Sequence, residues 1–202
     1  LVAIGLALAV AYVRGSLTDR MVMIVCTVGL SISILVYIIV FQYFFAYRLG
    51  WFPVQGWGNG VAENLFRYAA LPILIGLTVS IAPNVRLYRT FFLDEINQDY
   101  VRTARAKGLS EHRIMWVHVL RNASIPIITH LMATLPGLLL GSFLIERFFS
   151  IPGIGREVIL AVERSDFPVI KALTVYVAFA TMASNLLADL MYKAADPRVQ
   201  LK

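Results

Sequence analysis

The stretch MVMIVCTVGLSISILVYIIVFQYFFAY, residues 21–47, carries no formal charge over its 27 residues. A helix needs about 20 apolar residues to cross the hydrocarbon core of a bilayer, so this run is long enough to span a membrane. The whole chain has the same character: 59% of its 202 residues are hydrophobic and 15% are charged, with a mean hydropathy of +0.74. A soluble domain carries about 25% charged residues. The sequence therefore predicts an integral membrane protein.

Further apolar runs flank this stretch on both sides. The run at residues 1–13 is too short to cross a membrane alone and is typical of the end of another span. We therefore expect the protein's own N-terminal sequence to lie before residue 1. The predicted fold class is an all-α, polytopic transmembrane helix bundle, with residues 1–202 forming a single transmembrane domain. Complete spans are expected at residues 21–47, 68–85, 123–145 and 172–191, with a partial span at 1–13.

The basic residues are distributed unequally between the segments that join these spans. Twelve of the 18 Lys and Arg residues fall in 14–20, 86–122 and 192–202, whereas six fall in 48–67 and 146–171. Loops rich in Lys and Arg stay on the cytoplasmic side of a membrane. The loop 86–122 and the C-terminus are therefore predicted to be cytoplasmic, and the other two segments are predicted to be outer loops.

Motifs for catalysis or nucleotide binding do not occur in the sequence. There is no GxxxxGK[ST] loop, and no HExxH, CxxC or GxSxG. His112, His118 and His130 share no helix face, so we expect no metal site. The chain is accordingly expected not to be an enzyme in its own right.

Acidic residues within the predicted spans are few. Glu146 and Asp189 both lie at span ends, where we expect interface anchoring or helix pairing. A proton or ion relay would require carboxylates near the middle of a span, and the predicted spans have none there. This pattern disfavours an ion-coupled secondary transporter. That class stays open as an alternative, together with a membrane scaffold subunit that has no transport role.

The segment DYVRTARAKGLSEHR, residues 99–113, is predicted to form a helix, a turn and a second helix. The first helix would run up to Gly108, and Ser110 is a suitable N-cap for a helix starting at Glu111. Val101, Ala104 and Gly108 recur at helical spacing and form a narrow face of small residues beside cationic ones. Such a face favours docking into a protein groove. The alternative is a basic loop that lies in solvent or against lipid headgroups.

Several blocks of the sequence resemble a known family. Residues 99–126, DYVRTARAKGLSEHRIMWVHVLRNASIP, resemble the cytoplasmic EAA loop of permease subunits of ABC importers, in the version typical of peptide and nickel permeases. Gly108 matches the signature glycine and Thr103–Ala104 the expected Ala–Ala pair, whereas Arg102 replaces the usual glutamate. Other blocks resemble the first of the two paired permease subunits of dipeptide and oligopeptide importers: RGSLTDRMVM (14–23), LGWFPVQGWG (49–58), FFSIPGIGREV (148–158), RSDFPVIKALTVY (164–176), NLLADLMY (185–192) and DPRV (196–199).

The resemblance implies a permease subunit of an ATP-driven importer, with six spans in the full chain. Such a subunit forms the path for peptides or similar small solutes that a substrate-binding protein delivers. The cargo stays open between a dipeptide, a longer peptide, nickel and another solute. The resemblance also implies a coupling helix that docks on a cytoplasmic ATPase subunit through Arg102, Thr103, Ala104, Lys107, Gly108 and Leu109.

The resemblance further implies the partners of the chain. These are a second permease subunit, identical or different, two cytoplasmic ATPase subunits, an extracytoplasmic substrate-binding protein and the lipid bilayer. ATP and Mg²⁺ would bind to the ATPase subunits, so no cofactor is expected in this chain, and no nucleic acid is expected as a partner. The implied location is the inner membrane of a bacterium or archaeon.

Two further sets of residues are candidates for function. Pro152, Gly153 and Gly155, in the sequence IPGIG, lie in the outer loop 146–171 and are expected to face the binding protein. The alternative is a loop that caps the bundle. Small or polar residues in the later spans are candidates for the substrate path, although each could instead pack between helices: Thr134, Ser142 and Asn185.

Overall fold

A computed structural model describes residues 1–195, and their side chains except at 136, 139, 140, 188, 189 and 191–195. All regular secondary structure in the described residues is helical, which confirms the predicted all-α fold. The predictions for Asp189 and for the C-terminus lie outside the described side chains and residues, respectively.

Most of the helices follow one another with short connections, and the longest connection is residues 49–60. Three of them continue without a break into a π-helical turn, at 42–48, 64–68 and 114–119. The bounds of the α-helices are α1 Val2–Tyr12, α2 Leu17–Ser31, α3 Ile34–Phe41, α4 Val61–Glu63, α5 Ala70–Ile96, α6 Asp99–Ala106, α7 Glu111–Arg113, α8 Leu120–Leu140, α9 Phe143–Phe149, α10 Ile154–Glu163 and α11 Phe167–Ala195.

The apolar run 21–47, predicted as one span, is divided between two helices. Helix α2 ends at Ser31, Ile32 is extended, and the Ser33 hydroxyl accepts a hydrogen bond from the Leu35 N–H at 3.4 Å to start α3. Hydropathy did not indicate this break because the residues around it are uncharged and mostly apolar. The local signal was Ser33, a preferred N-cap residue placed before a β-branched apolar run.

The other predicted spans also differ from the helices in their bounds. Helix α5 continues to Ile96, so the first part of the predicted loop 86–122 is helical. The predicted span 123–145 is interrupted at Gly141 and Ser142, between α8 and α9. Gly141 has φ +72°, a backbone conformation that favours glycine and ends α8. Helix α11 begins at Phe167, five residues before the predicted start at 172.

Two of the described helices are long and apolar enough to cross a membrane. They are Ala70–Ile96 and the Phe167–Leu187 part of α11. A third span is obtained if Leu17–Ser31 and Ile34–Arg48 together make one broken span. The predicted positions of the spans in a bilayer therefore stay predictions.

The chain divides into two compact units, and the first contains Leu1–Ile32 and Thr78–Leu131. Its core draws residues from α1, the second half of α5, α6 and residues 114–127. Completely buried members of this core are Leu8, Val85, Phe92, Val101, Ile114 and Val119, each at most 1% exposed. Helix α6 is thus part of a packed core rather than a loop lying in solvent.

The second unit contains Ser33–Leu77 and Met132–Met191. Within it α9 packs against α10 and contacts α3. Its buried residues come from several helices and include Ile38, Leu71, Ile75, Phe149 and Ala161. This unit carries both predicted outer loops.

Candidate functional site

The first candidate site is the helix–turn–helix segment, residues 99–113. Helix α6 ends at Ala106 in a Schellman motif, in which the Gly108 N–H donates to the Arg105 carbonyl at 2.9 Å and the Leu109 N–H donates to the Ala104 carbonyl at 3.3 Å. Gly108 occupies the left-handed position of this motif with φ +76°. The predicted glycine turn is therefore confirmed, and it has a conformational cause.

The second helix of the segment begins where the sequence predicted it. The Ser110 hydroxyl accepts a hydrogen bond from the Arg113 N–H at 3.4 Å, so Ser110 is the N-cap of α7. The Arg105 guanidinium donates to both Glu111 carboxylate oxygens, at 2.6 and 3.2 Å, and so links α6 to α7 across the turn. This hydrogen-bonded pair lowers the pKa of Glu111 and raises the pKa of Arg105.

Two of the three residues of the small-residue face, Val101 and Ala104, are buried within the chain, whereas Gly108 is exposed, which corrects the docking face predicted from the sequence. Val101 is completely buried and Ala104 is 7% exposed, and both belong to the core cluster of the first unit. They pack in the same cluster as Phe92 of α5 and Ile114. Sequence periodicity identified the face but not the residues that cover it, which lie in separate parts of the chain.

The exposed part of α6 is the cationic side and the edge of the turn. Four of the six residues predicted for docking are exposed: Arg102, Thr103, Lys107 and Gly108. Leu109 is half-buried. A groove of about 360 Å³ lies along this edge and is lined by Tyr100, Thr103, Ala104, Lys107, Leu109 and His118. Ala104 thus forms the floor of a groove instead of a protruding contact.

Two lining residues of this groove, Tyr100 and His118, were not among the residues predicted for docking. The Tyr100 hydroxyl donates a hydrogen bond of 2.7 Å to the Glu95 carboxylate, which joins α6 to the end of α5. Burial, together with the neighbouring Glu95 carboxylate, raises the pKa of Tyr100 to about 12. The hydroxyl is therefore a stable hydrogen-bond donor at neutral pH. No motif marks this pair in the sequence.

An ion pair between the buried Asp19 and the partly buried Arg89 fixes the start of α2 to α5 within the same unit. Arg89 donates to both oxygens of Asp19, at 2.8 and 2.7 Å, and the Asp19 side chain is 6% exposed. Asp19 also accepts from the Gly15 N–H at 2.8 Å, while the Ser16 hydroxyl caps α2 by accepting from the Asp19 N–H. The spacing of Ser16 and Asp19 is a capping-box signal that could have located the helix start. Arg89 could not have been paired with it from one sequence.

The second candidate site is the outer loop between α9 and α10. Of the three residues predicted to face a partner, Pro152 is exposed, Gly153 is half-buried and Gly155 is buried. A Cβ on Gly155 would lie 3.0 Å from the Phe143 Cα, so this glycine permits close packing of α10 on α9. The structure therefore gives Gly155 a packing role instead of a surface role.

The two predicted outer loops are hydrogen-bonded to each other. The Gly56 N–H donates to the Phe149 carbonyl at 3.0 Å, and the Ser150 hydroxyl donates to the Gln55 side-chain oxygen at 3.4 Å. Arg147 pairs with Glu163 at 3.1 Å and connects α9 to the end of α10. Residues 55–56 and 149–150 thus join the two outer loops within the second unit.

The residues predicted for a substrate path lie in different surroundings. Thr134 is an exposed residue of α8, and Asn185 is an exposed residue of α11. Ser142 lies at the break between α8 and α9, where its hydroxyl accepts from the Ile145 N–H at 3.5 Å. A capping role accounts for Ser142, and the assignment of all three to a substrate path stays a prediction.

Comparison with known proteins gives one family over nearly the whole chain. The model of the binding-protein-dependent transport system inner membrane component matches residues 2–201. The chain is 40% identical over 157 residues to the oligopeptide transport system permease protein AppB of Bacillus subtilis (strain 168), covering 76% of this chain and 50% of the relative.

Two further relatives match more of the chain. It is 36% identical over 209 residues to the di/tripeptide transport system permease protein DppB of Pseudomonas aeruginosa (strain UCBPP-PA14), covering 93% of this chain and 62% of that protein. It is 34% identical over 204 residues to a putative peptide transport system permease protein of Brucella abortus (strain 2308), covering 98% of this chain and 64% of that protein. The chain thus spans between half and two thirds of the length of these curated relatives.

Proposed function

Because this chain belongs to the family of binding-protein-dependent transport system inner membrane components, we propose that it is part of the permease subunit of an ATP-driven peptide importer. The family match and the peptide permeases among its relatives support this function. In this proposal the chain and a second permease subunit form the membrane path for small peptides. Two ATPase subunits bind ATP and Mg²⁺ in the cytoplasm, and a substrate-binding protein delivers the peptide outside.

The observation that carries the mechanism is the way in which α6 is held. Its exposed side presents Arg102, Thr103 and Lys107, while Val101 and Ala104 are buried in the core of the first unit. A helix that is exposed on one side and packed on the other suits a mechanical link between a partner and the chain.

Movement of α6 would be passed on through the contacts behind it. Val101 and Ala104 share a core cluster with Phe92 of α5, and Tyr100 is hydrogen-bonded to Glu95 near the end of α5. Helix α5 is also one of the helices that is long and apolar enough to cross a membrane. We therefore infer that an ATPase subunit docks on the exposed edge of α6 and moves the helix as a rigid body together with α5.

The groove beside Lys107 defines what the docking element of the ATPase subunit provides. Its lining surface is mostly apolar, with Tyr100, Ala104 and Leu109 among the lining residues, and Lys107 also lines it. An apolar side chain flanked by a carboxylate or carbonyl oxygen is complementary to this surface. The experiment below tests the positive charge of Lys107.

The proposal is tested by reversing the charge of one residue of the groove. The full-length subunit is assembled with its partners in proteoliposomes, and the uptake of radiolabelled trialanine and the hydrolysis of ATP are measured together. Lys107→Glu is expected to abolish uptake and to uncouple ATP hydrolysis from the delivery of substrate. Arg113→Glu is the matched control, because Arg113 is an exposed basic residue of the same segment that does not line the groove.

The result that would refute the docking role is normal uptake by the Lys107→Glu transporter. Equal losses in both variants would indicate a general requirement for positive charge on the segment and would also refute docking at this groove. If the wild-type assembly hydrolyses ATP but never accumulates peptide, the proposed transport function itself is wrong.

A further inference from the structure

The Glu146 side chain lies inside the outer loop and does not extend into solvent. It is half-buried, and its Oε2 accepts a hydrogen bond from the Arg156 backbone N–H at 2.9 Å. Helix α10 begins at Ile154, so the Arg156 N–H belongs to the first turn, whose N–H groups have no partner within the helix. The carboxylate therefore caps a helix that begins eight residues further along the chain, and the helix dipole favours its negative charge.

Three glycines surround this carboxylate. A Cβ added to Gly141 or Gly153 would overlap the Glu146 carboxylate, and one added to Gly155 would lie 3.0 Å from Oε2. The IPGIG sequence thus has a second function beside turning the chain, since it leaves room for an acidic side chain. The sequence suggested interface anchoring or helix pairing for Glu146, and the structure shows it capping α10.

Glu146 also holds the other end of the loop through its backbone. Its carbonyl accepts the Ile151 N–H at 3.0 Å, directly before the exposed Pro152. Ser150, with φ 58°, turns the chain at the end of α9. The Arg156 guanidinium then donates to the Ser150 carbonyl at 3.4 Å. Both ends of the loop 150–156 are therefore tied to a single residue of α9.

We propose that Glu146 is a positioning residue that fixes the loop 150–156 in the shape presented to the substrate-binding protein. This inference rests on the proposed function and assigns the binding-protein contact to the loop whose shape Glu146 sets. Glu146 itself touches neither partner nor cargo. Its carboxylate must have the correct length to reach the first turn of α10, and an oxygen must be present there to accept the N–H.

The length and charge of the side chain can be separated by three substitutions. Glu146→Gln keeps the reach and one acceptor oxygen, Glu146→Asp keeps the charge but is one methylene shorter, and Glu146→Ala removes both. The assay is ATP hydrolysis by the full assembled transporter in nanodiscs, titrated with its own substrate-binding protein loaded with an equimolar mixture of dialanine and trialanine.

For Ala and Asp we expect the half-saturating concentration of loaded binding protein to rise about fivefold or more, the factor that one lost hydrogen bond of ordinary strength gives. The rate at saturation stays within about twofold, because the membrane path and the ATPase contacts are unchanged. Glu146→Gln is expected to rescue the half-saturating concentration to near that of the wild type. Hydrogen exchange of the Arg156 amide rises in the Ala and Asp variants only.

Gly153 offers an independent way to displace the same carboxylate. Its φ of −125° suits any residue, and the three nearest atoms to an added Cβ all belong to Glu146. Gly153→Ala is therefore expected to push the carboxylate out and to reproduce the Glu146→Ala defect, and the double variant should be no worse than either single one. Gly153→Ser adds the same Cβ but supplies a side chain that is preferred at an N-cap. If Gly153→Ser and Gly153→Ala have equal defects, the defect does not come from poor capping of α10 by alanine.

The matched controls come from the same outer surface. Gly60→Ala adds a Cβ that meets the Glu63 Cβ at an ordinary 3.7 Å, and Glu157→Ala removes an exposed carboxylate from the first turn of α10. The proposal is overturned if Glu146→Ala leaves the half-saturating concentration unchanged, or if the effects of Gly153→Ala and Glu146→Ala add. A wild-type transporter that shows no stimulation by loaded binding protein would instead overturn the proposed function.

Discussion

Gly108 provides the strictest test of how the helix–turn–helix segment works. Its φ of +76° lies in the left-handed region, and nothing lies within 4 Å of the position that a Cβ would take. A substitution therefore meets no steric conflict with the rest of the chain, and its cost is that of the backbone conformation. For an L-residue this cost is roughly 1–2 kcal/mol.

A loss of this size lowers the population of the turn by a factor of about 5–30. Since the turn sets the position of Leu109 over Ala104 at the groove, we expect uptake of trialanine to follow the preference of each residue for the left-handed region. Asn enters that region more readily than Ala, and a β-branched residue is an outlier there. The expected order of uptake is Gly108, then Gly108→Asn, Gly108→Ala and Gly108→Val.

Gly108→Asp adds a negative charge directly after Lys107 of the groove, and we expect it to abolish uptake while the protein still inserts into the membrane. Hydrogen exchange of the Gly108 and Leu109 amides reports the turn directly, because these amides donate to the carbonyls of α6. Gly76→Ala is the control for a glycine substitution in open space at normal φ. The conformational reasoning is wrong if the Gly108→Val protein transports like the wild type. It is also wrong if Gly108→Asn reduces uptake as much as Gly108→Val while the turn amides stay protected from hydrogen exchange in both variants.

Three further predictions concern the contacts that hold the first unit together. Asp19→Ala leaves the partly buried Arg89 without its partner and is expected to destabilise the purified chain by up to about 3 kcal/mol, whereas Asp19→Leu combined with Arg89→Met costs less, as thermal melts in detergent would show. The hydrogen bond from Arg105 lowers the pKa of Glu111 below its usual 4.5, so the ion pair stabilises the turn above pH 4.5 and this stabilisation is lost as the pH falls through the lowered pKa. Hydrogen exchange of the turn amides, followed against pH, measures this loss, and the Glu111→Gln variant should show no such pH dependence. Tyr100→Phe deletes the hydrogen bond from α6 to the end of α5 and should reduce uptake without unfolding the protein, with circular dichroism as the check on folding.

The parts of the fold that the sequence predicted are those with local causes. The turn at Gly108 and the cap at Ser110 follow from the residue types that end and start helices, and both are confirmed. The break before Ser33 also had a local signal, but the apolar character of the run concealed it. Residue types near a helix end therefore carried more information about these boundaries than hydropathy did.

The parts that the sequence could not predict depend on residues distant along the chain. The small face of α6 looked like a docking surface because periodicity shows which residues share a face but not what covers them. In the structure Phe92 and Ile114 belong to the cluster that buries Val101 and Ala104. Arg89 pairs with a residue 70 positions away, and no pattern in a single sequence indicates such a partner.

The two candidate sites use glycine for different physical reasons, and this difference can be measured. At Gly108 the backbone adopts a conformation that disfavours any side chain, so no second substitution in a neighbour can restore it. At Gly153 the backbone is ordinary and the space is taken by the Glu146 carboxylate, so the two positions are coupled. The effect of Gly108→Ala should therefore not depend on substitutions at neighbouring residues. The effect of Gly153→Ala, in contrast, should vanish in a protein that already carries Glu146→Ala. This difference in coupling distinguishes a glycine required for its backbone conformation, Gly108, from a glycine required to leave room for a carboxylate, Gly153.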